Sequence, residues 1–178
     1  MSSSRGLLLV YTGGGKGKTT AALGMALRAV GHKKNVGMIQ FIKGELFTGE
    51  MESIKKLEPY FELIRAGRGF VRIMGDRKPI EEHQEAAKNA LATAKEKILS
   101  GSYDLMILDE INYAAKEGLI SVDDILEIIQ LKPEKLTLVL TGNYADQRVI
   151  DAADLVTEMK KIKHPFEKGI PAQRGVDF

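Results

Sequence analysis

Cysteine is absent from the chain, which excludes disulfides, thiol catalysis and any cysteine-ligated metal. Net charge is nearly absent too: 26 basic side chains against 24 acidic ones leave +2, too little to attract nucleic acid or a membrane surface. No run approaches the ~18 apolar residues that a bilayer-spanning helix needs. The polar start, Met1 to Arg5, and the short apolar run after it do not build a secretion signal, so a cytoplasmic protein is expected. Repeats, low-complexity tracts and linkers are missing as well. What remains is ordinary in bulk. An apolar fraction of 44% over 178 residues is enough for one domain with a full core, and residues 1–178 are read as that domain.

The informative stretch is Thr12-Gly13-Gly14-Gly15-Lys16-Gly17-Lys18-Thr19-Thr20. It follows the apolar run Leu7-Leu8-Leu9-Val10 and opens a helical segment. A glycine-rich turn between a buried strand and a helix points successive N–H groups at one spot, and the helix N-terminus adds its positive end. Phosphate is the matching ligand. Lys18 is placed to reach the outer phosphates, and the Thr19 hydroxyl to ligate Mg²⁺. The usual pattern is G-x-x-x-x-G-K-[ST]; here Thr12 stands at the first glycine and Lys16 is an additional cation. Three consecutive glycines cost chain entropy that nothing else in the sequence requires.

Alternation of short apolar runs with helical periods continues to the end. Strands are expected at Gly6 to Tyr11, Val36 to Ile42, Phe61 to Ala66, Tyr103 to Leu108, Leu136 to Leu140 and Leu155 to Met159. Helices are expected at Lys18 to Val30, with Gly31 as its left-handed stop, and at Met51 to Leu57, Ile80 to Leu99, Val122 to Gln130 and Ala145 to Ala153. The resulting fold class is α/β: a three-layer, P-loop NTPase-like fold with a mostly parallel sheet of about six strands and helices on both faces. Ligands in such folds sit at the carboxyl ends of the strands. That edge would collect the P-loop, Gln40 to Gly44, the glycine- and arginine-rich loop Gly67 to Pro79, Asp109-Glu110 and Thr141 to Asn143, with residues 159–178 as a tail packing nearby.

Leu105-Met106-Ile107-Leu108-Asp109-Glu110 has the form of a Walker B strand. With a P-loop upstream, its carboxylates are expected to join Thr19 around Mg²⁺ or Mn²⁺, which offsets the charge of a triphosphate. An Asn-Lys-x-Asp guanine-reading motif is missing, which argues against a GTPase. Arg65, Arg68, Arg72 and Arg77 fit the lid of a small-molecule kinase, so that reading stays open beside a non-catalytic ATP sensor.

The residues carry a resemblance beyond these motifs. The P-loop variant with Ala21-Ala22, Gly31-His32, Asn35-Val36-Gly37, Gln40 to Gly44, Leu108 to Tyr113, Asp154 to Met159, Lys163 to Phe166 and the ending Gly169 to Phe178 are similar, in the same order, to the ATP:corrinoid adenosyltransferases of the bacterial cobalamin pathway. The resemblance implies that ATP is the co-substrate and a Co(I) corrinoid the substrate. Cobalt attacks C5′ and triphosphate leaves intact. It implies a triphosphate held by Gly13, Gly14, Gly15, Lys16, Gly17, Lys18, Thr19 and Thr20. Lys18, Thr19 and Glu110 would be catalytic, and Thr19, Asp109 and Glu110 would form the metal site. Phe70 matches an aromatic position facing the corrin, whereas Arg72 stands where some members have tryptophan. His164 is a third corrinoid candidate, although a lower cobalt ligand would oppose Co(I), and its ring suits a backbone hydrogen bond equally well. A homodimer and an electron-donating reductase such as a flavoprotein are implied partners.

Overall fold

The computed structural model describes residues 5–44, 47–69, 71 and 76–178. Six strands form one parallel sheet in the order β3-β2-β4-β5-β1-β6. They are β1 (Leu8–Thr12), β2 (Val36–Gln40), β3 (Phe61–Arg65), β4 (Leu105–Asp109), β5 (Thr137–Thr141) and β6 (Leu155–Glu158). The four inner strands are apolar at nearly every position because both faces are covered, as parallel sheets require.

Side chains alternate between the two layers. Leu8, Val10, Ile39, Met106, Leu108, Leu138 and Leu140 face one core. That core is closed by α3 (Ile80–Leu99), α4 (Ile111–Lys116), α5 (Val122–Leu131) and α6 (Gln147–Ala152). Leu9, Val36, Met38, Leu105, Ile107 and Val139 face the other, closed by α1 (Lys18–Gly31) and α2 (Glu50–Lys55). This is the expected three-layer arrangement. The long helix α3 buries Ala87, Leu91, Ala94 and Ile98 at the expected spacing. Ser121 and Asp124 form a complete capping box on α5, Ser121 Oγ accepting the Asp124 N–H at 3.1 Å and Asp124 Oδ2 accepting the Ser121 N–H at 2.7 Å.

Several local expectations are corrected. Gly31 is the last helical residue of α1 rather than its stop, and the left-handed position falls on Lys33 (φ 58°). Leu27 shares the helical apolar spacing of Ala22, Leu23, Ala26 and Val30 in α1, yet it is 60% exposed, because a cleft rather than a core lies beside it. The second strand ends at Gln40, not Ile42; past it the Phe41 N–H still reaches Asp109 O (3.0 Å), but the chain turns. Helix α4 carries no sequence signal strong enough to call attention to it: it is six residues long and starts without a side-chain cap.

The register places the strand ends Thr12, Gln40, Arg65, Asp109, Thr141 and Glu158 along one edge. The P-loop, the start of α2 and the tail all converge there.

Candidate functional site

The loop between β1 and α1 needs glycine at three places for two different reasons. Gly13 and Gly17 have φ of +93° and +118°, which side-chain-bearing residues rarely adopt. At Gly15 the reason is a neighbour. Its N–H donates to Met159 O at 2.6 Å, and a Cβ would meet that same oxygen at 2.6 Å. The glycine run therefore has a structural purpose: it lets the chain after β6 lie against the loop. Gly14 is different, since a Cβ there meets nothing nearer than Asn143 Nδ2 at 4.0 Å. Gly15→Ala is expected to force backbone apart and cost about 1–3 kcal/mol. Thermal unfolding should show a Tm several degrees lower for Gly15→Ala and almost unchanged for Gly14→Ala. Equal losses would mean that Met159 yields freely.

Lys18 Nζ lies across the loop, donating to Gly13 O (2.8 Å) and Gly15 O (3.0 Å). Behind it the end of β4 supplies the acids. Asp109 is fully buried, and its Oδ1 accepts two hydroxyls, Thr19 Oγ1 and Thr141 Oγ1, both at 2.8 Å. The P-loop threonine and the strand-end aspartate therefore touch. Thr141 also accepts the Glu110 N–H (2.9 Å), tying β5 to the turn into α4. Glu110 itself sits in the left-handed region (φ 62°), which swings its side chain out of strand alternation and into the cleft. Burial, and then the neighbouring Asp109 carboxylate, push its pKa up to about 7 against the pull of Lys18 and Lys43.

Two further groups at this edge were not singled out by the sequence. Glu50, the first residue of α2, accepts Lys43 Nζ at 3.0 Å and Gln40 Nε2 at 3.4 Å. Burial would raise the Glu50 carboxyl, but its own backbone N–H and Lys43 outweigh this and hold it below the usual range. Lys43 Nζ also stands 3.9 Å from Asp109 Oδ2. Asp177, in the tail, accepts Lys16 Nζ at 2.5 Å. An acid in the first turn of α2 was the available signal for Glu50; Asp177 had none beyond its place in the terminal motif.

Lys16, Lys18, Thr19, Lys43, Glu50, Glu110 and Asp177 line one cleft of about 860 Å³, with Asp109 buried behind it. Its polar end holds Lys16, Lys18, Thr19, Lys43, Glu50 and Glu110, and its apolar end Leu23, Leu27, Leu57 and Phe61. One cleft with a cationic, hydroxyl-bearing end and an apolar end suits a polyphosphate joined to a less polar group. Among the described residues, no three His, Asp or Glu side chains gather closely enough to hold a metal unaided. The hydroxyl and carboxylate oxygens of Thr19, Asp109 and Glu110 are nevertheless a hard donor set of the kind Mg²⁺ takes together with phosphate oxygens. His164 caps a 3₁₀ turn (Pro165–Lys168) by accepting the Phe166 N–H at Nδ1 (3.2 Å), the backbone bond its ring suited. Phe70 and Arg72 lie outside the described residues.

Comparison with known proteins places the chain in a family. A model of the family "ATP:corrinoid adenosyltransferase BtuR/CobO/CobP" matches residues 4–178. The corrinoid adenosyltransferase of Pseudomonas aeruginosa is 41% identical over 174 residues, covering 98% of this chain and 84% of that protein. The Escherichia coli enzyme of the same name is 34% identical, covering 98% and 86%. Among solved structures, the flagellar accessory protein FlaH from Methanocaldococcus jannaschii superposes with a TM-score of 0.54 at 14% identity, over 86% of this chain and 70% of that one. A KaiC-like protein from Pyrococcus horikoshii gives 0.51 at 14% identity, over 88% and 74%. Both likenesses are of fold alone.

Proposed function

The chain belongs to the ATP:corrinoid adenosyltransferase family, which moves the 5′-deoxyadenosyl group of ATP to a corrinoid cobalt, and we propose that its P-loop grips the departing triphosphate as one leaving group. Membership replaces the kinase and sensor readings. The arrangement that supports the proposal is the clustering of Lys16, Lys18 and Lys43 with Thr19 at one end of a cleft whose other end is apolar.

Bond by bond, the Co(I) lone pair attacks C5′ of ATP while the C5′–O5′ bond breaks. The electron pair of that bond leaves on triphosphate, and cobalt becomes formally Co(III) in the new cobalt–carbon bond. No proton moves at C5′, so the site needs no general base. Lys18, Lys16 and the loop N–H groups are then the electrostatic part of catalysis, matched to charge that grows on the leaving oxygen. Thr19, Asp109 and Glu110 would hold Mg²⁺ or Mn²⁺, which would neutralise part of that charge. Asp109 holds the Thr19 hydroxyl at 2.8 Å, and the turn at Glu110 brings its carboxylate to the same cleft. We assign Phe70 and Arg72 to the corrinoid face on resemblance alone and give His164 a capping role.

The wider setting is also proposed. Making Co(I) from Co(II) takes one electron, and a chain without cysteine suits an outside donor such as a flavoprotein reductase. A homodimer is supported by β6, an exposed edge strand carrying Leu155 and Val156 and pairing with β1 on one side. No described helix is long and apolar enough to cross a membrane, which is compatible with the cytoplasm.

The test is product identity. ATP, Mg²⁺ and a chemically reduced corrinoid should give adenosylcorrinoid and intact triphosphate in equal amounts. ADP with a phosphorylated acceptor would overturn the proposal.

A further inference from the structure

The tail does more than follow β6. Met159 is fastened to the P-loop from both sides, its N–H donating to Thr12 O (2.8 Å) and its carbonyl accepting the Gly15 N–H. The chain then leaves and comes back, so that Gly175, Val176, Asp177 and Phe178 line the cleft beside Lys16, Lys18 and Thr19. The returning segment is closed on itself. Asp177 N–H donates to Gln173 O (2.8 Å), Gln173 N–H to Asp177 Oδ2 (2.8 Å) and Gly175 N–H to Phe178 O (2.7 Å). These bonds engage Oδ2 and leave Oδ1 for Lys16 Nζ. The carboxylate is thus presented to the P-loop by a preformed turn, 161 residues away in sequence.

All three lysines of the cleft's polar end have internal acceptors, and they differ in kind. Lys18 is held by two neutral carbonyls of its own loop. Lys43 is shared between Glu50 and Asp109, inside the edge. Lys16 alone is paired to the tail, and this pair is partly exposed, with side chains 42% and 25% accessible. A polyanion arriving at the loop must take Lys16 from Asp177, and Asp177 stands ready to take it back.

We propose that Asp177 is a positioning residue for the transfer reaction, an internal competitor that holds Lys16 at the cleft and lowers the P-loop's affinity for polyphosphate so that triphosphate leaves after transfer. The inference rests on the reading of the P-loop as a triphosphate grip. A reaction that expels its leaving group as a free polyanion ends with the tightest-binding species in the site. A tethered carboxylate acts at the effective concentration of a short link, in the millimolar range, and weakens that species without touching the reacting carbon.

The test uses inorganic tripolyphosphate with Mg²⁺ and full-length protein, followed by calorimetry. Asp177→Asn keeps an oxygen for the Gln173 N–H while removing the charge. It is expected to tighten tripolyphosphate roughly twofold to fivefold, the range of an exposed ion pair. In a Lys16→Ala background the same substitution should change nothing, because the competition has no cation to act on. Unchanged or weaker binding by Asp177→Asn, or equal tightening in both backgrounds, would overturn the role of Asp177 while leaving the grip intact. Wild-type protein that binds no tripolyphosphate would overturn both together.

Discussion

Lys18→Ala is expected to lower adenosyl transfer by about a hundredfold to a thousandfold while leaving the fold intact. Two observations set this expectation. The Lys18 ammonium donates to Gly13 O and Gly15 O of the loop backbone, so a phosphate seated on the loop N–H groups is within its reach. Its side chain is half-buried and lines the cleft, so truncation widens the cleft rather than hollowing the core. Removing one preorganised donor to a developing anion costs about 2.7–4 kcal/mol, which is the stated range in rate. Because charge on triphosphate grows as C5′–O5′ breaks, most of the loss should fall on kcat rather than KM. The measurement is adenosylcorrinoid formation from preformed Co(I), with circular dichroism as the check on folding. Turnover within tenfold of wild type, in a normally folded variant, would remove Lys18 from the leaving-group machinery and with it the P-loop reading.

How much of this was legible in the sequence depends on the range of the contact. The strands, the P-loop turn and the Asp109-Glu110 strand end rest on local patterns, and all six strands appear in the expected order with their ends shifted by at most two residues. Thr19 meeting Asp109 was legible too, because a parallel sheet with helices on both faces leaves few other ways to bring a P-loop and a Walker B strand together. The glycine run was read for phosphate alone, and its second use was missed: Met159 O against Gly15 arises from β6 pairing with β1, which no local pattern encodes. The same holds for Asp177 on Lys16, 161 residues apart. Periodicity does not tell Leu27 from a core residue, since a cleft lined by leucines has the same spacing as a buried stripe. The left-handed turns failed for a related reason. Gly31 was the cheaper residue for a helix stop, yet tertiary context put the positive φ on Lys33, and another on Glu110 where the side chain had to leave the strand.

That turn at Glu110 has a measurable consequence in the protein without nucleotide. Glu110→Gln is expected to raise Tm at pH 8 by on the order of 5–10 °C, and to leave it unchanged near pH 4. Burial beside Asp109 raises the folded-state pKa of Glu110 to about 7 from an ordinary value of 4.5. The sign follows from proton binding. Between those two values the folded chain binds a proton that the unfolded chain has lost, so stability falls as pH rises through the window. Below it both states are protonated and the carboxyl is neutral, as glutamine is; above it the folded chain keeps a poorly solvated carboxylate. The full difference is on the order of 3 kcal/mol, and a domain of this size shifts by roughly 2–4 °C per kcal/mol. Thermal melts of both proteins from pH 4 to pH 8 would show the curves diverging as Glu110 ionises. A constant offset across that range would assign the effect to packing, and equal Tm values at pH 8 would mean that Lys18 and Lys43 already compensate the charge. In the proposed metal site, Mg²⁺ brought in with ATP would supply the cation that this buried carboxylate lacks. Glu110→Gln should therefore weaken the Mg²⁺ dependence of transfer even as it strengthens the fold.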